Sequence, residues 1–256
     1  MMKKILGLSF LSLTLVACGG GGGDSEFIVD NGGTGSGSAV KAMGLYTGTT
    51  NQGQSAIGLV DKNNKFWFLY SPPYSNGISG FITGNLTVSG NNIKATNGKD
   101  FNFSGSTVYN TTINGAVEER KSLKGTITYT PSNQVSFDTL YDIKKSEVVA
   151  NISAIAGNYS GESAIVQGVE GANLIITNTG VISGRGESGC SFAGKITAEN
   201  NMPYYSINLV FGYSPCLMAG QEVKGVAYYD SVDKTLFSVA ENDSRQNAVL
   251  FLGSKR

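Results

Sequence analysis

Cysteines and carboxylates are the residues from which this sequence could build chemistry, because its 256 residues include no histidine. That absence excludes Ser-His-Asp and Cys-His catalysis, histidine-ligated metals and histidine pH switches. Glu118 and Glu119 stand in Glu-Glu-Arg-Lys, beside their own counter-charges, and read as a solvated loop between two strands. Asp230 and Asp233 bracket a turn, as aspartates ordinarily do. Neither pair offers two separated carboxylates facing one sugar ring, as a glycosidase requires. Gly184-Arg185-Gly186-Glu187-Ser188-Gly189 is glycine-rich, but no helical pattern follows it to cradle a phosphate. There is no Gly-x-Ser-x-Gly elbow in a strand-to-helix context. The reading is therefore a non-enzyme with no catalytic residues, no metal site and no cofactor. With 19 basic and 19 acidic residues and no basic run, the chain also lacks an electrostatic footprint for nucleic acid.

The aromatic segment Lys65-Phe-Trp-Phe-Leu-Tyr-Ser-Pro-Pro-Tyr74 is the densest candidate for recognition. Read as a strand, it places Phe66, Phe68 and Tyr70 on one face and Trp67 with Leu69 on the other. A strand apolar on both faces has no ordinary wet side. The larger set is expected inward. Trp67 and Leu69 then point toward a second module or the junction helix, or Trp67 joins Tyr74, near Pro72-Pro73, in an exposed aromatic contact for a partner or a sugar.

The N-terminus carries an address. Lys3 and Lys4 form a basic region and Ile5 to Val16 an apolar one, too short for the ~20 residues that span a bilayer. Residues 1–17 therefore read as a signal peptide. It ends in Leu15-Val16-Ala17-Cys18, which resembles the lipobox of bacterial lipoproteins. That resemblance implies that Cys18 is diacylated and becomes the mature N-terminus, and two acyl chains give stable anchoring. Gly19 stands where an aspartate would mark inner-membrane retention, so the implied location is the outer membrane of a Gram-negative cell, periplasmic or surface-exposed. Residues 18–41 are rich in glycine and read as a tether, with a mean span of roughly 25 Å. Cys190 and Cys216 remain. Cys190 opens one strand and Cys216 follows the next, past the turn near Asn201, so antiparallel pairing brings them together. In an oxidising envelope they are expected to form a structural disulfide. No CxxC spacing or basic cluster supports a reactive thiol.

Positioning these residues falls to strands. Leu123, Gly125, Ile127 and Tyr129 alternate with Lys124, Thr126, Thr128 and Thr130. Tyr205, Ile207, Leu209 and Phe211 alternate with Tyr204, Ser206, Asn208 and Val210. This period of two marks antiparallel strands. Turn signals recur at Asp61–Asn64, Ser89–Asn92, Asn97-Gly98, Asn178–Gly180, Asn200-Asn201 and Ser231–Asp233. Gly44-Leu-Tyr-Thr-Gly48 is echoed by Gly157-Asn-Tyr-Ser-Gly161, and Leu123–Tyr129 by Val223–Tyr229, with Phe137 and Phe237 equally spaced from Lys124 and Lys224. Two motifs in the same order indicate a duplication. The expected fold is all-β, with two small antiparallel barrels of about eight strands each in tandem, because closure removes exposed edges; a two-sheet sandwich is the alternative. The barrels are expected at 42–145 and 157–256. Residues 146–156 read as a short linker helix, with Ser146 as N-cap, Gly157 as terminator, and Val148, Val149, Ile152 and Ile155 on one apolar face.

Lipobox, polyglycine tether and two Gly-x-Tyr-x-Gly-led β-modules together resemble envelope lipoproteins of Gram-negative bacteria. More remotely, they resemble tandem-barrel surface lipoproteins such as the factor H-binding and transferrin-binding lipoproteins. The resemblance implies a binding or adhesion module held to the membrane by its N-terminal lipid, with a protein or small-ligand partner that the residues do not specify. A structural or assembly lipoprotein of an envelope complex is the alternative, with an envelope enzyme ranked below it.

Overall fold

Seventeen strands form two closed antiparallel barrels in the computed structural model, which describes residues 40–75 and 77–256. Cys18, the signal segment and nearly all of the tether lie outside the described residues. The first barrel uses β1 Gly44–Thr50, β2 Ser55–Val60, β3 Lys65–Tyr70, β4 Gly80–Asn85, β5 Thr87–Ser89, β6 Asn92–Asn102, β7 Thr107–Glu118, β8 Ser122–Thr130 and β9 Asn133–Tyr141. Pairing runs β4-β3-β2-β1-β9-β8-β7-β6, and β4 with β6 closes an eight-stranded ring. The three-residue β5 is a hairpin arm on β6. The second barrel runs in plain sequence order through β10 Gly157–Ile165, β11 Gly168–Ile176, β12 Val181–Gly186, β13 Ser191–Ala198, β14 Tyr205–Phe211, β15 Glu222–Asp230, β16 Thr235–Glu241 and β17 Ala248–Lys255. Its β10–β17 pairing completes the ring and leaves no open edge.

The Gly-x-Tyr-x-Gly motif begins both barrels in the same way. Gly44 and Gly157 each hold φ near +145°, a conformation that favours glycine. The Tyr46 hydroxyl donates to the Ala42 carbonyl and the Tyr159 hydroxyl to the Ile155 carbonyl, each at 2.8 Å. Gly48 and Gly161 then let the eighth strand of each ring approach, since a Cβ there would meet a backbone carbonyl at 2.0 Å. The second motif does not repeat structurally. Lys124 lies on β8, seventh around its ring, whereas Lys224 lies on β15, sixth around the other. Phe137 faces the first lumen, while Phe237 sits against Tyr228 at the junction between barrels. Lysine, glycine and β-branched residues in alternation describe any wet-faced strand, so that match carries no register.

The expected single linker helix is two separate turns, α1 Ile143–Ser146 and α2 Ile152–Ile155. Asp142 caps the first by accepting from the Lys145 amide, and Asn151 caps the second by accepting from the Ser153 amide. Asn151 is extended, which breaks the helix between them. Ser146 is not a cap; its hydroxyl accepts from the Leu45 amide at 2.9 Å. Val148 and Val149 are exposed, and only Ile155 is buried, at one end of the second core. Asn97-Gly98 is likewise no turn but a β-bulge within β6.

Three apolar clusters result. One fills part of the first barrel, one the second, and the third joins the outer walls of both. Trp67 belongs to the third. It lies 2% exposed beside Leu45, Leu59 and Phe81 of its own barrel, in a cluster that includes Val226, Val239 and Leu250 of the other. The interface is framed by charge. Buried Glu241 receives Lys65 Nζ at 2.8 Å and Arg245 Nε at 2.9 Å, and Arg245 also donates across to the carbonyls of Asn97 and Thr83. Desolvation offsets much of the Coulomb gain of such buried pairs, so they add little net stability.

Candidate functional site

The two lumens differ. The first encloses a cavity of about 290 Å³ and the second only about 30 Å³. In the first, the ring walls are lined with aromatic residues that lie flat. Phe66, Phe68 and Tyr70 of β3 stand cross-strand from Gly84, Gly58 and Gly80. A Cβ at Gly58 would come within 2.2 Å of the Phe68 ring, and one at Gly80 within 2.6 Å of the Tyr70 hydroxyl. Glycine opposite each ring lets it rest against the sheet and leaves the axis open. Ala56, Ile82, Ile113, Leu123, Ile127, Val135 and Phe137 extend the apolar wall.

One end of this cavity is polar. Thr50, Gln54, Asp100, Asn102 and Asn133 line it with Tyr109 and Tyr129, and exposed Gln52, Asn133 and Tyr109 mark the opening. Gln54 is held by the Thr50 hydroxyl, which donates to its Oε1, and by its own donation to the Ser71 carbonyl. Asp100 is the centre of the polar end. It is 2% exposed, and its Oδ1 accepts from the Tyr70 hydroxyl and its Oδ2 from the Tyr129 hydroxyl, each at 2.8 Å. Burial pushes its carboxyl up to about 6, and the two tyrosine hydrogen bonds oppose that rise. Burial, and then the neighbouring carboxylate, push both tyrosine hydroxyls above their ordinary range, so both stay protonated as donors. Tyr109 meets the Tyr129 ring edge-on at 5.8 Å.

Asp100 faces the lumen because of the bulge. Between Ala95 and Gly98, β6 spends three steps while β7 spends two, from Ile113 to Thr111. The extra residue reverses the alternation, turning Gly98, Asp100 and Asn102 inward and Phe101 outward into the inter-barrel cluster.

The residues singled out from sequence do not assemble here. Trp67 is enclosed between the barrels, with the Lys65 ammonium 4.4 Å from its ring centre, and is closed to a partner. Tyr74 is 90% exposed, its ring lying over Gly53, between the cavity-lining Gln52 and Gln54. The two are therefore not one surface. Cys190 and Cys216 form a disulfide, buried with Met218 in the second core. The loop after β14 is thereby tied to the start of β13. Glu118 pairs with Lys121 at the surface, and no group of three or more acidic, cysteine or histidine side chains capable of holding a metal occurs among the described residues. Asp100 and Tyr109 were marked by no motif, and Tyr129 only as the end of the repeated Leu123–Tyr129 strand.

No protein-family model matches the chain, and no curated protein matches it in sequence. Among solved structures, it is similar to the isotype 1 transferrin binding protein B of serogroup B Neisseria meningitidis, at 9% identity and a TM-score of 0.30. That match covers 80% of this chain, which spans 66% of the other. A DUF3598-family protein of unknown function from Nostoc punctiforme matches at 9% identity over 84% of this chain and 96% of its own, with a TM-score of 0.26. A transferrin binding protein B double mutant from Haemophilus parasuis matches at 8% identity, over 79% and 65%, with a TM-score of 0.29. At scores this low, no shared function follows from the likeness, and the fold stands on the strand pairing itself.

Proposed function

We propose that the chain is a non-enzymatic binding module of the cell envelope whose first barrel takes a small ligand into its lumen. The observation that carries this reading is the cavity of about 290 Å³, apolar along its walls and polar at its open end. Ligand sites are concave and mostly apolar, with a few convergent polar groups that fix orientation. A volume near the low end of the usual 300–1,000 Å³ range suits a ligand of modest size. The lipobox reading of Leu15 to Cys18 supports attachment to the outer membrane through lipid on Cys18.

The test is obstruction. Ile113→Trp, which adds an indole to the apolar wall, should abolish uptake of a neutral fluorescent probe such as N-phenyl-1-naphthylamine. Leu209→Trp, in the filled second barrel, should not block uptake if it folds. Uptake indifferent to Ile113→Trp would remove the lumen from consideration. Anchoring is tested separately. Cys18→Ser should prevent incorporation of radiolabelled palmitate and release the protein from membranes, and continued labelling would refute the lipobox.

A further inference from the structure

We propose that the ligand of the first barrel carries a cationic head, an ammonium group seated against Asp100 and the rings of Tyr109 and Tyr129, with an apolar body along the lumen. This rests on the lumen being the binding site and specifies what enters it. Asp100 is the reason. An almost fully buried carboxylate is ordinarily paired with a cation, because desolvating an isolated charge is costly. Here no ion pair reaches it among the described residues. The groups facing it are Ile82 from β4, Tyr70 from β3, Tyr109 from β7 and Tyr129 from β8, with Lys99 next in sequence on the opposite face of β6.

The tyrosines order the carboxylate without neutralising it. Each spends its only donor on one oxygen, so each oxygen keeps acceptor capacity for a further donor. Their ring faces are the electron-rich surfaces that attract an ammonium, and desolvation strengthens that attraction. The same arrangement rejects anions, since a second carboxylate at this end would meet Asp100 with no positive group between them. Charge therefore sets selectivity at the polar end, while the Phe66, Phe68 and Phe137 wall accepts any apolar body that fits.

The inference also fixes the sign of the pH dependence. Burial pushes the Asp100 carboxyl up to about 6, so the charge that attracts an ammonium builds up as pH rises through that value and is withdrawn as pH falls through it. Cation affinity should rise from pH 5 to pH 7.5, whereas affinity for a neutral ligand of the same shape should stay flat.

Three water-soluble probes of one shape decide it: 2-phenylethylammonium, 2-phenylethanol and phenylacetate. They are titrated calorimetrically into the intact protein in nanodiscs of zwitterionic lipid. The ammonium should bind at least tenfold more tightly than the alcohol at pH 7.5, and phenylacetate should show no binding. That preference should vanish in Asp100→Asn, with alcohol binding retained, and shrink about tenfold in the wild type at pH 5. The wild-type pH arm stands even if the variant folds poorly. Alcohol binding as tight as the ammonium, lost in Ile113→Trp, would overturn the cation while leaving the lumen reading intact. Binding by none of the probes, or binding indifferent to Ile113→Trp, would overturn both.

Discussion

Two barrels of eight strands begin with the same glycine–tyrosine device, yet one lumen is open and the other is filled. The wall does not explain this, because closure needs only paired edges, and both rings have them. The inward residues do. In the second barrel Ile182, Ile196, Ile207, Leu209, Phe211 and Phe251 meet across the axis, and the disulfide-tied loop adds Met218 at one end. In the first, rings lie flat on glycines, and Thr50, Gln54, Asp100 and Asn102 occupy one end. A filled barrel earns stability from its interior; an open one gives up part of that gain to keep room. The second barrel is thus the packed body and the first the one that keeps space inside.

Trp67 tests whether they act as one body, and it carries the largest expected effect. Trp67→Ala removes the largest side chain in the inter-barrel cluster and should cost about 3–5 kcal/mol. Calorimetry should then resolve two transitions, whereas the wild type should show one. A single transition shifted by only a degree or two would mean that the interface contributes little. The disulfide comes next. Cys190→Ser with Cys216→Ser opens a 26-residue loop and should cost about 3 kcal/mol, placed in the second barrel. Probe uptake by the first barrel should survive at temperatures where the second is still folded. Thiol titration of the native protein should find neither cysteine free, and a reactive pair would contradict the bridge.

The same substitution in each lumen sharpens the contrast. Leu209 and Leu123 are both buried and both face a barrel axis. Leu209→Ala opens a void in close packing and should cost about 3–4 kcal/mol, whereas Leu123 already borders empty space and its loss should cost about 2 kcal/mol. Equal costs in urea unfolding would show that the first lumen is less open in solution than its walls indicate.

The architecture was legible because its signals are local. Alternation at Leu123–Thr130 and Tyr204–Phe211 marked strands, turn signals such as Asp61–Asn64 and Ser231–Asp233 separated them, and the places of Cys190 and Cys216 at the ends of neighbouring strands pointed to the bridge. The division of Lys65–Tyr70 into an inner Phe66, Phe68, Tyr70 face and an outer Trp67, Leu69 face was also readable, since both faces are apolar. The polar end was not. Plain alternation from Ile93 and Ala95 carries Phe101 inward and Asp100 to solvent, where an aspartate attracts no notice. One inserted residue at the bulge reverses both, and no pattern of residue types announces it. Tyr70 and Tyr129 lie far apart in sequence and meet only through ring closure. The junction failed for a related reason: apolar spacing suggested one helix, but Asn151 caps a new turn instead of continuing the old one.

Asp100 gives the smallest stability effect and the one that ties stability to use. Its carboxyl has an ordinary value of 3.8 and is pushed up to about 6 in the folded chain by burial. Folded protein therefore binds the proton more tightly than unfolded protein between those values. The associated stability is complete below about pH 4 and is lost as pH rises through about 6. At neutral pH the first barrel holds a desolvated charge that two tyrosine hydrogen bonds only partly offset. Asp100→Asn removes that charge and keeps an acceptor for one tyrosine, so it should stabilise the ligand-free protein by about 1–2 kcal/mol at pH 7.5. At pH 4, where the wild-type carboxyl is already neutral in the fold, the gain should disappear. A variant less stable than wild type at both values would identify the Tyr70–Asp100–Tyr129 bridge as a structural clasp. A gain confined to neutral pH would identify it as a destabilising charge retained for what it attracts, the usual signature of a site in which stability has been traded for function.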